Sequence, residues 1–355
     1  MEANRILYIS PINMWTNNGM AQRQHQILSL LCSLGTPVDL LSLDAPPTTA
    51  RKWLAERGIP ATVLTGAYPF AARLNTTLWF GIGKILCERL GWQDHFHFPF
   101  RTPLPNRWMQ RYSCILCFYA WAFHLLALSR AGSKVIVDLG DVMADRHQRI
   151  GARRWITLSH QDEESILHSQ ARCVAISDDD VEEFQRLYKV TIPRISFVPP
   201  DREDLQALRT GELPRRVGFM GAPSYVNEEI LRLFAESDFL GPLHQSDVEL
   251  VIAGGICDVA DPAVLAKLRT EGARVLGRVG SVAEYYCLIG ATVNPVGPST
   301  GVKIKSVEAL MAGRKLITTR WGADSSLAAA FKDQVMFVDW PIDSAKLAAL
   351  CIQAV

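Results

Sequence analysis

The chain has no marked excess of charge of either sign and no long uninterrupted apolar segment. Its 37 Lys and Arg residues nearly balance its 36 Asp and Glu residues, which leaves a formal net charge of +1. Such a balance does not favour a nucleic-acid partner or an acidic tail. No run approaches the roughly 18 apolar residues of a membrane-spanning helix, and the first ten residues lack the pattern of a signal peptide. We therefore expect a cytoplasmic protein.

The eight cysteines are scattered and do not suggest a disulfide framework. Cys114 and Cys117 form a C-x-x-C pair, which can belong to a redox or zinc site, but they lie in an apolar run typical of a buried strand. Residues three apart on a strand point to opposite faces, so we interpret the pair as core residues. His95 and His97 have no evident third ligand. The sequence therefore predicts no metal site.

Short apolar runs alternate with helical stretches along almost the whole chain. This alternation predicts parallel β-α-β units with helices on both faces of each sheet. At 355 residues the chain exceeds one ordinary core. We therefore expect an α/β protein with two Rossmann-like, doubly wound domains facing a central cleft, at 1–200 and 215–355, joined by a linker at 201–214. The predicted strands are Arg5–Ser10, Val38–Leu43, Ala61–Leu64, Cys114–Phe118, Val135–Asp138, Arg172–Ile176, Ile195–Val198, Arg216–Met220, Val248–Ala253, Arg274–Leu276, Ala291–Val296, Lys315–Thr319 and Val335–Val338.

Residues 66–108 interrupt the alternation with an unusual number of aromatic and basic residues. One interpretation is a helical insertion that packs on the first domain. The other is an aromatic and basic flap that meets a lipid-linked or carbohydrate acceptor, or that rests on a membrane surface. The sequence alone leaves both open.

The stretch 294–313 is the most informative of the second half. A strand is expected to end near Val296, and a Gly-rich turn leads into a helix that we expect to begin near Thr300. Ser299 and Thr300 are suited to cap that helix, and Gly301 lets a ligand approach the backbone closely. Unpaired N–H groups at a helix N-terminus suit a diphosphate.

Lys305 and Glu308 follow on one face of this predicted helix because they are three residues apart. A lysine near the turn can neutralise phosphate, with Lys303 as a second source of charge. A glutamate one turn deeper can accept hydrogen bonds from ribose hydroxyls. The alternative is a capped surface helix with a salt bridge between Lys305 and Glu308.

This stretch resembles the carboxy-terminal signature of family 4-type glycosyltransferases. The resemblance is loose but follows the same order over most of the chain outside 66–108. It implies the GT-B fold and a hexosyltransferase-like enzyme that moves a sugar from a nucleoside-diphosphate sugar to a glycan or lipid-linked acceptor. It also implies that no cofactor or metal is needed, and that the setting is polysaccharide biosynthesis, with a peripheral contact at the inner face of the membrane. The other similar segments are 8–35, Val135–Arg146, Ala171–Phe184, Arg216–Phe234 and Val275–Tyr286.

Two departures from the family pattern bear on the site. The family's two glutamates are eight positions apart, and Thr300 stands where the first would be. The spacing of Gly301, Lys303, Lys305 and Glu308 resembles a subset with G-x-K-x-K-x-x-E. The turn that begins at Gly221, itself an expected donor-binding position, also lacks the basic residues that commonly hold the diphosphate. Lys305 and Lys303 are then expected to supply that charge, and the stereochemical outcome stays open.

Candidate acceptor residues follow the first and fourth strands of the first domain. Asn18 and Gly19 lie in the loop at the carboxyl end of the first strand, where open α/β sheets place ligands. Arg23, one turn later, could face phosphate or acceptor; the alternative is a surface arginine on a solvated loop. Tyr119 and Trp121 could stack on a sugar ring, or they could be core aromatics.

Asp138 and Asp141 lie at the end of another strand. A carboxylate near the acceptor hydroxyl can act as general base in an inverting enzyme. In a retaining enzyme the same group could orient the acceptor. Because Asp138 could equally cap the next helix, Asp141 is the predicted catalytic residue.

Three other functions are alternatives to a transferase. A sugar-nucleotide epimerase of the same architecture would turn over donor without acceptor. A Rossmann dehydrogenase should carry G-x-G-x-x-G after its first strand, and this chain does not. A catalytically silent relative that acts as a binding partner is favoured by the loss of the first glutamate.

Overall fold

The computed structural model describes residues 5–12, 14–16, 19–90, 101–144, 158–197, 202–211, 213–299 and 301–355, without the side chains of 79, 80, 83, 84 and 86–90. The chain divides into two compact units, Met1–Val198 and Pro199–Val355. Each unit contains a six-stranded sheet in which every strand pair is parallel. The predicted α/β architecture of two doubly wound sheets is confirmed.

The first unit has the strand order β3-β2-β1-β4-β5-β6. Five-residue β1 is buried along its whole length, as a strand covered on both faces should be. The elements are β1 (Ile6–Ser10), α1 (Gly19–Ser33), β2 (Val38–Ser42), α2 (Ala50–Ala55), β3 (Thr62–Val63), α3 (Ala67–Leu90), α4 (Asn106–Arg111), β4 (Cys114–Phe118), α5 (Ala120–Leu125), β5 (Val135–Asp138), α6 (His160–Leu167), β6 (Arg172–Val174) and α7 (Asp178–Tyr188).

The second unit repeats this topology with the order β12-β11-β10-β7-β8-β9. Counted within the unit, both sheets follow the doubly wound order 3-2-1-4-5-6. The elements are α8 (Glu203–Gln206), β7 (Arg216–Met220), α9 (Tyr225–Glu236), α10 (Leu240–Gln245), β8 (Glu249–Ala253), α11 (Pro262–Thr270), β9 (Arg274–Gly277), α12 (Val282–Cys287), β10 (Ala291–Asn294), α13 (Ile304–Met311), β11 (Lys315–Thr318), α14 (Ser325–Ala330), β12 (Val335–Phe337) and α15 (Ser344–Ala354).

The C-x-x-C pair lies on β4, with its two side chains on opposite faces of the first sheet. Cys117 is buried in the core cluster that contains Trp121, whereas Cys114 packs against the cluster on the other face, which contains Leu116. Both are free thiols. The interpretation of the pair as core residues is confirmed.

Two segments differ from their predicted form. Residues 195–197 form no strand, and the neighbouring Arg194 makes only an isolated bridge to Ala175. The segment expected to be a linker contains α8, whose Leu205 is fully buried with Tyr285 and Tyr286 of α12. Burial of Leu205 is one of the contacts that tie the segment to the second unit, and Arg314, whose Nη1 donates to the Leu208 carbonyl oxygen at 3.2 Å, supplies another.

In the described part of 66–108 the helical interpretation holds, because α3 and the start of α4 occupy it. None of the helices among the described residues is both long and apolar enough to cross a membrane.

Candidate functional site

The two central strands of the second sheet, β7 and β10, are neighbours, and the chain leaves them toward opposite edges of the sheet. Open α/β sheets bind ligands beyond the carboxyl ends of strands at such a switch point. The loops that leave these ends are the turn after Met220 and the turn after Asn294. The predicted donor-binding residues of the second unit come from these two turns and from the helices α9 and α13 that follow them.

The turn after β7 is held tightly against the turn after β8. Gly254 has φ +97°, and a Cβ there would lie 2.4 Å from the carbonyl oxygen of Gly221. Ser224 caps α9 by accepting a hydrogen bond from the Asn227 backbone. The Asn227 side chain in turn donates to the Ala222 carbonyl oxygen at 2.8 Å. These contacts fix the Asn227 amide beside the carboxyl end of β7.

Lys305 is directed to the same place from α13. Its Nζ donates to Asn227 Oδ1 at 3.0 Å and lies 4.4 Å from the ring centroid of the buried Phe219. Burial of the ammonium, with a smaller contribution from Lys303, lowers the pKa of Lys305 to about 7. The structure therefore brings together Lys305, Gly221 and Asn227, of which the sequence had assigned a role in the site to the first two.

Glu308 lies one turn further along α13 and is only 5% exposed. One of its oxygens lies 3.7 Å from Nη1 of Arg202, which also makes a two-pronged contact with Asp204. Lys305 and Glu308 form no ion pair with each other, so the alternative of a surface salt bridge is wrong for these two residues. The sequence did not single out Arg202, because it lies in the segment taken for a linker.

The start of α13 differs from the prediction. The helix begins at Ile304 rather than near Thr300, and Lys303 occupies its N-cap position without a side-chain capping bond. Gly301 has φ +76°, a left-handed conformation that a helix cannot contain. The Ser299 hydroxyl donates to the Gly297 carbonyl oxygen instead of capping the helix. Thr300 lies outside the described residues.

The loop that separates Gly301 from α13 is closed by Lys303. Its Nζ donates to the Gly301 carbonyl oxygen at 2.7 Å. The Tyr286 hydroxyl donates to the carbonyl oxygen of Lys305 at 2.8 Å, which ties α12 to the first turn of α13. The lysine ammoniums therefore differ in position: that of Lys303 folds back on its own loop, and that of Lys305 reaches β7.

The predicted acceptor residues of the first unit lie deeper than expected. Arg23 is 1% exposed, and its Nε donates to Asp138 Oδ2 at 3.0 Å, while Nη1 donates to the Ser196 carbonyl oxygen at 3.0 Å. This burial leaves no exposed guanidinium face for a phosphate. Tyr119 and Trp121 are also buried in the core of the first unit, which corresponds to their alternative interpretation.

The remaining predictions of the first unit concern two loops. Gly19 is the first residue of α1, and Asn18 lies outside the described residues. Asp141 is largely buried and follows β5. Its loop is held by Glu163 of α6, whose carboxylate accepts hydrogen bonds from the backbone of Met143 and Ala144, at 2.7 and 3.3 Å.

Among the described residues, no three His, Cys, Asp or Glu side chains are grouped so that they could hold a metal ion.

The second unit matches a known family over nearly its whole length. Residues 214–354 fit the model of the family described as Glycosyl transferases group 1. The second unit thus has the sequence pattern of a group 1 glycosyl transferase domain. This match confirms the expectation that the chain is a glycosyltransferase. No curated protein sequence matches the chain.

Solved structures of the GT-B fold are similar to the whole chain and not only to the group 1 domain. HepE of Anabaena, solved with UDP and glucose, is 14% identical, with a TM-score of 0.59 over 99% of this chain and 89% of that one. A glycosyltransferase from Rickettsia africae ESF-5 is 13% identical, with a TM-score of 0.62 over 99% and 89%. WaaG, a glycosyltransferase involved in lipopolysaccharide biosynthesis, is 12% identical, with a TM-score of 0.59 over 99% and 90%. At these identities the likeness shows the fold.

Proposed function

We propose that the chain transfers a sugar from a nucleoside-diphosphate sugar, held by the group 1 domain, to a hydroxyl group of a glycan or lipid-linked acceptor. The observation that carries this proposal is the ammonium of Lys305, placed between Asn227 and the Phe219 ring at the switch point of the sheet. Its neighbours there are an amide oxygen and an aromatic face, neither of which cancels its charge. A diphosphate is the ligand that such a site fits best.

The donor is held at two of its parts, the diphosphate and the ribose. The ammonium of Lys305 pairs with the phosphate oxygens, and the buried carboxylate of Glu308 accepts hydrogen bonds from the ribose hydroxyls. Ser299, Gly301 and Lys303 belong to the loop that precedes α13 and complete the donor site from that side, and Gly221 permits close approach from the β7 side. The motif Gly301, Lys303, Lys305, Glu308 thus serves in place of the two-glutamate pattern.

Transfer breaks the bond between the anomeric carbon and the β-phosphate oxygen and forms a bond from that carbon to the acceptor oxygen. Negative charge develops on the leaving diphosphate, and a positioned cation stabilises it most when water is excluded. Lys305 supplies that charge, so the reaction is proposed to need neither metal nor cofactor. The acceptor proton passes to Asp141 in an inverting reaction or to the leaving phosphate in a retaining one.

The first unit is proposed to bind the glycan or lipid-linked acceptor. It is also proposed to make a peripheral contact with the inner face of the membrane, where such acceptors are presented. The similarity to HepE, solved with UDP and glucose, makes uridine diphosphate sugars the first donors to test.

A panel of nucleotide sugars tests the proposal by thermal stabilisation of the protein, because a ligand that binds the native state raises the melting temperature by mass action. A good donor should shift the melting temperature of the wild type, but not that of Lys305→Ala. Lys267→Ala, an exposed lysine on α11 of the same domain, is the matched control. The proposed donor site would be contradicted if no nucleotide sugar shifted the melting temperature, or if the shift were equal in Lys305→Ala.

Analysis of the reaction products distinguishes a transferase from an epimerase and from a catalytically silent relative. An epimerase converts donor into a second nucleotide sugar without acceptor, which proton NMR of the anomeric signal detects. A silent relative binds donor but releases no nucleoside diphosphate with any acceptor. Release of nucleoside diphosphate that requires the acceptor supports transfer.

A further inference from the structure

Among its described side chains, helix α3 exposes large apolar residues and buries small ones, which is the reverse of an ordinary surface helix. The side chains that face the first unit are Pro69, Ala72 and Thr76, and the Thr76 hydroxyl is satisfied by the Ala72 carbonyl oxygen at 2.8 Å. The exposed apolar residues are Phe70, Leu74, Leu78, Ile82 and Ile85, each between 40 and 64% exposed.

These five residues, here called the α3 stripe, form one continuous surface. Their spacing of four, four, four and three residues places them within about 120° of arc around the helix. At a rise of about 1.5 Å per residue the stripe runs for about 22 Å. A single exposed leucine on a protein surface needs no explanation, but a contiguous apolar patch of this length indicates an interaction surface.

Arginines lie on both sides of the α3 stripe. Arg73 lies on the flank of α3 between the stripe and the buried face. On the other flank, Tyr68 donates to the Thr102 carbonyl oxygen at 3.0 Å and Asn75 donates to the Thr102 hydroxyl at 2.6 Å. The Tyr68 ring also meets that of Trp108, with centroids 5.0 Å apart. These contacts hold against α3 a segment that carries exposed arginines at 101, 107 and 111.

The charged side chains that the structure describes around the stripe all have the same sign. Among the described side chains of 67–111 there are four arginines and no aspartate or glutamate. An apolar stripe bordered by basic residues is the arrangement by which a helix lies in the plane of an anionic membrane surface: apolar side chains enter the acyl boundary, and arginines meet the phosphates. A protein partner of this chemistry would need acidic residues around an apolar groove, a less general requirement.

We propose that the α3 stripe and its flanking arginines dock the first unit on an anionic phospholipid bilayer, with α3 parallel to the surface. This inference deepens the membrane contact of the proposed function and does not depend on the donor site of the second unit. Docking by the unit that is proposed to bind acceptor would present a lipid-linked substrate to the enzyme at the depth of the headgroups.

Vesicle flotation with the full chain tests the proposal. Vesicles of phosphatidylcholine alone and vesicles containing phosphatidylglycerol are compared at low and high salt. The wild type should float with the phosphatidylglycerol vesicles, and high salt should weaken that binding because the arginine contribution is screened. Replacement of Leu74, Leu78 and Ile82 by Gln should lower the partition coefficient about tenfold or more, since each buried apolar side chain contributes to interfacial binding.

The controls separate apolar and charged contributions. Arg101→Gln with Arg107→Gln should weaken binding to anionic vesicles and leave weak binding to phosphatidylcholine unchanged. Leu30→Gln with Leu34→Gln alters two other exposed leucines of the first unit and should bind as the wild type does. All these positions are exposed, so melting temperatures should stay close to that of the wild type.

Three outcomes would overturn the proposal. The first is a wild type that binds neither kind of vesicle, and the second is a stripe variant that binds as tightly as the wild type. The third is a wild-type dimer that the stripe substitutions dissociate while no form binds vesicles, which would assign the stripe to a second copy of the chain. UDP affinity, measured on the same variants, should not change. Failure of docking is thereby distinguished from failure of the donor site, which Lys305→Ala probes.

Discussion

The Lys305 ammonium lies 3.0 Å from the amide oxygen of Asn227, so that the helices after β10 and β7 meet at the switch point of the second sheet. An amide oxygen accepts a hydrogen bond but carries no formal charge. None of the described carboxylates forms an ion pair with this lysine. The contact therefore fixes the position of the ammonium while leaving its charge available to an anion.

Nucleotide affinity should fall as the pH rises through about 7. The pKa of Lys305 in the free protein is lowered to about 7, so the ammonium is charged below that pH and progressively neutral above it. A bound diphosphate favours the charged form and raises this pKa, so binding above pH 7 requires proton uptake. Calorimetry of UDP binding at pH 6, 7 and 8, in buffers of different ionisation enthalpy, measures that uptake.

Lys305→Ala should remove most of this pH dependence and weaken binding about tenfold to a hundredfold, the usual contribution of a charge-assisted hydrogen bond. Lys267→Ala should leave both affinity and proton uptake unchanged. If wild-type protein takes up no protons between pH 6 and 8 on binding UDP, Lys305 does not contact the diphosphate.

Glu308→Ala should weaken binding of a nucleoside diphosphate about tenfold or more, because the ribose hydroxyls lose a buried acceptor. The loss should be specific to the ribose. The 2′,3′-dideoxy nucleotide should bind the wild type as weakly as the ordinary nucleotide binds the variant, and the variant should not distinguish the two. Calorimetry with both nucleotides measures this coupling. Equal discrimination in the two proteins would show that Glu308 acts elsewhere, for example by pairing with Arg202 alone.

The sequence was sufficient to predict the two sheets, because strands covered on both faces are read directly as short apolar runs. It also placed Lys305 and Glu308 on one helix. The sequence misplaced the start of that helix. Ser299 and Thr300 are residue types that commonly cap helices, whereas Lys303, the observed N-cap residue, is not. Glycine permits the left-handed conformation that delays the helix at Gly301 but does not require it, so the residue type alone could not fix where the helix begins.

Contacts between distant segments account for the other differences. Arg23 looks like a surface residue on an amphipathic helix, and only the fold brings Asp138 to it across 115 positions. Asn227 belongs to the segment Arg216–Phe234 that resembles the family, but its contact could not be predicted because its partner Lys305 is 78 positions away. A tryptophan that follows a strand, such as Trp121, can line a ligand site or belong to the hydrophobic core. Only the packing of the folded chain shows that it belongs to the core.

Glu163→Gln should destabilise the protein by about 1–3 kcal/mol, the penalty of leaving buried donors unsatisfied. Both carboxylate oxygens accept hydrogen bonds, from the backbone of Met143 and Ala144 and from the Tyr188 hydroxyl at 2.7 Å. The amide of Gln must turn a donor toward one of them. Hydrogen exchange should report faster opening at the Met143 and Ala144 amides. Tyr188→Phe removes only one of the three bonds to Glu163, together with the contact between the hydroxyl and His160 Nδ1 at 3.1 Å. It should therefore expose the Met143 and Ala144 amides less than Glu163→Gln does; equal protection in all three proteins would contradict the anchoring role.

Replacing one partner of the buried pair of Arg23 and Asp138 should lower the free energy of unfolding more than replacing both partners does. Burial raises the pKa of Asp138 even with Arg23 beside it, so the contacts of this carboxylate do not fully offset its own desolvation. Arg23→Met leaves a buried carboxylate without its cation and should lower the free energy of unfolding by about 3–5 kcal/mol. The double variant Arg23→Met with Asp138→Asn should lose less than the single variant.

The sign of the pH dependence tests the same argument. Without Arg23 the folded-state pKa of Asp138 rises further above its unfolded value, so the folded state binds the extra proton. Stability of Arg23→Met should then be greatest at low pH and should fall as the pH rises through that folded pKa. Urea unfolding at pH 5 and pH 8 should show a larger deficit relative to the wild type at pH 8. The double variant has no carboxylate at 138, so its deficit should not grow between pH 5 and pH 8. A deficit of Arg23→Met that is largest at pH 5 would mean that Asp138 stays ionised and finds another partner.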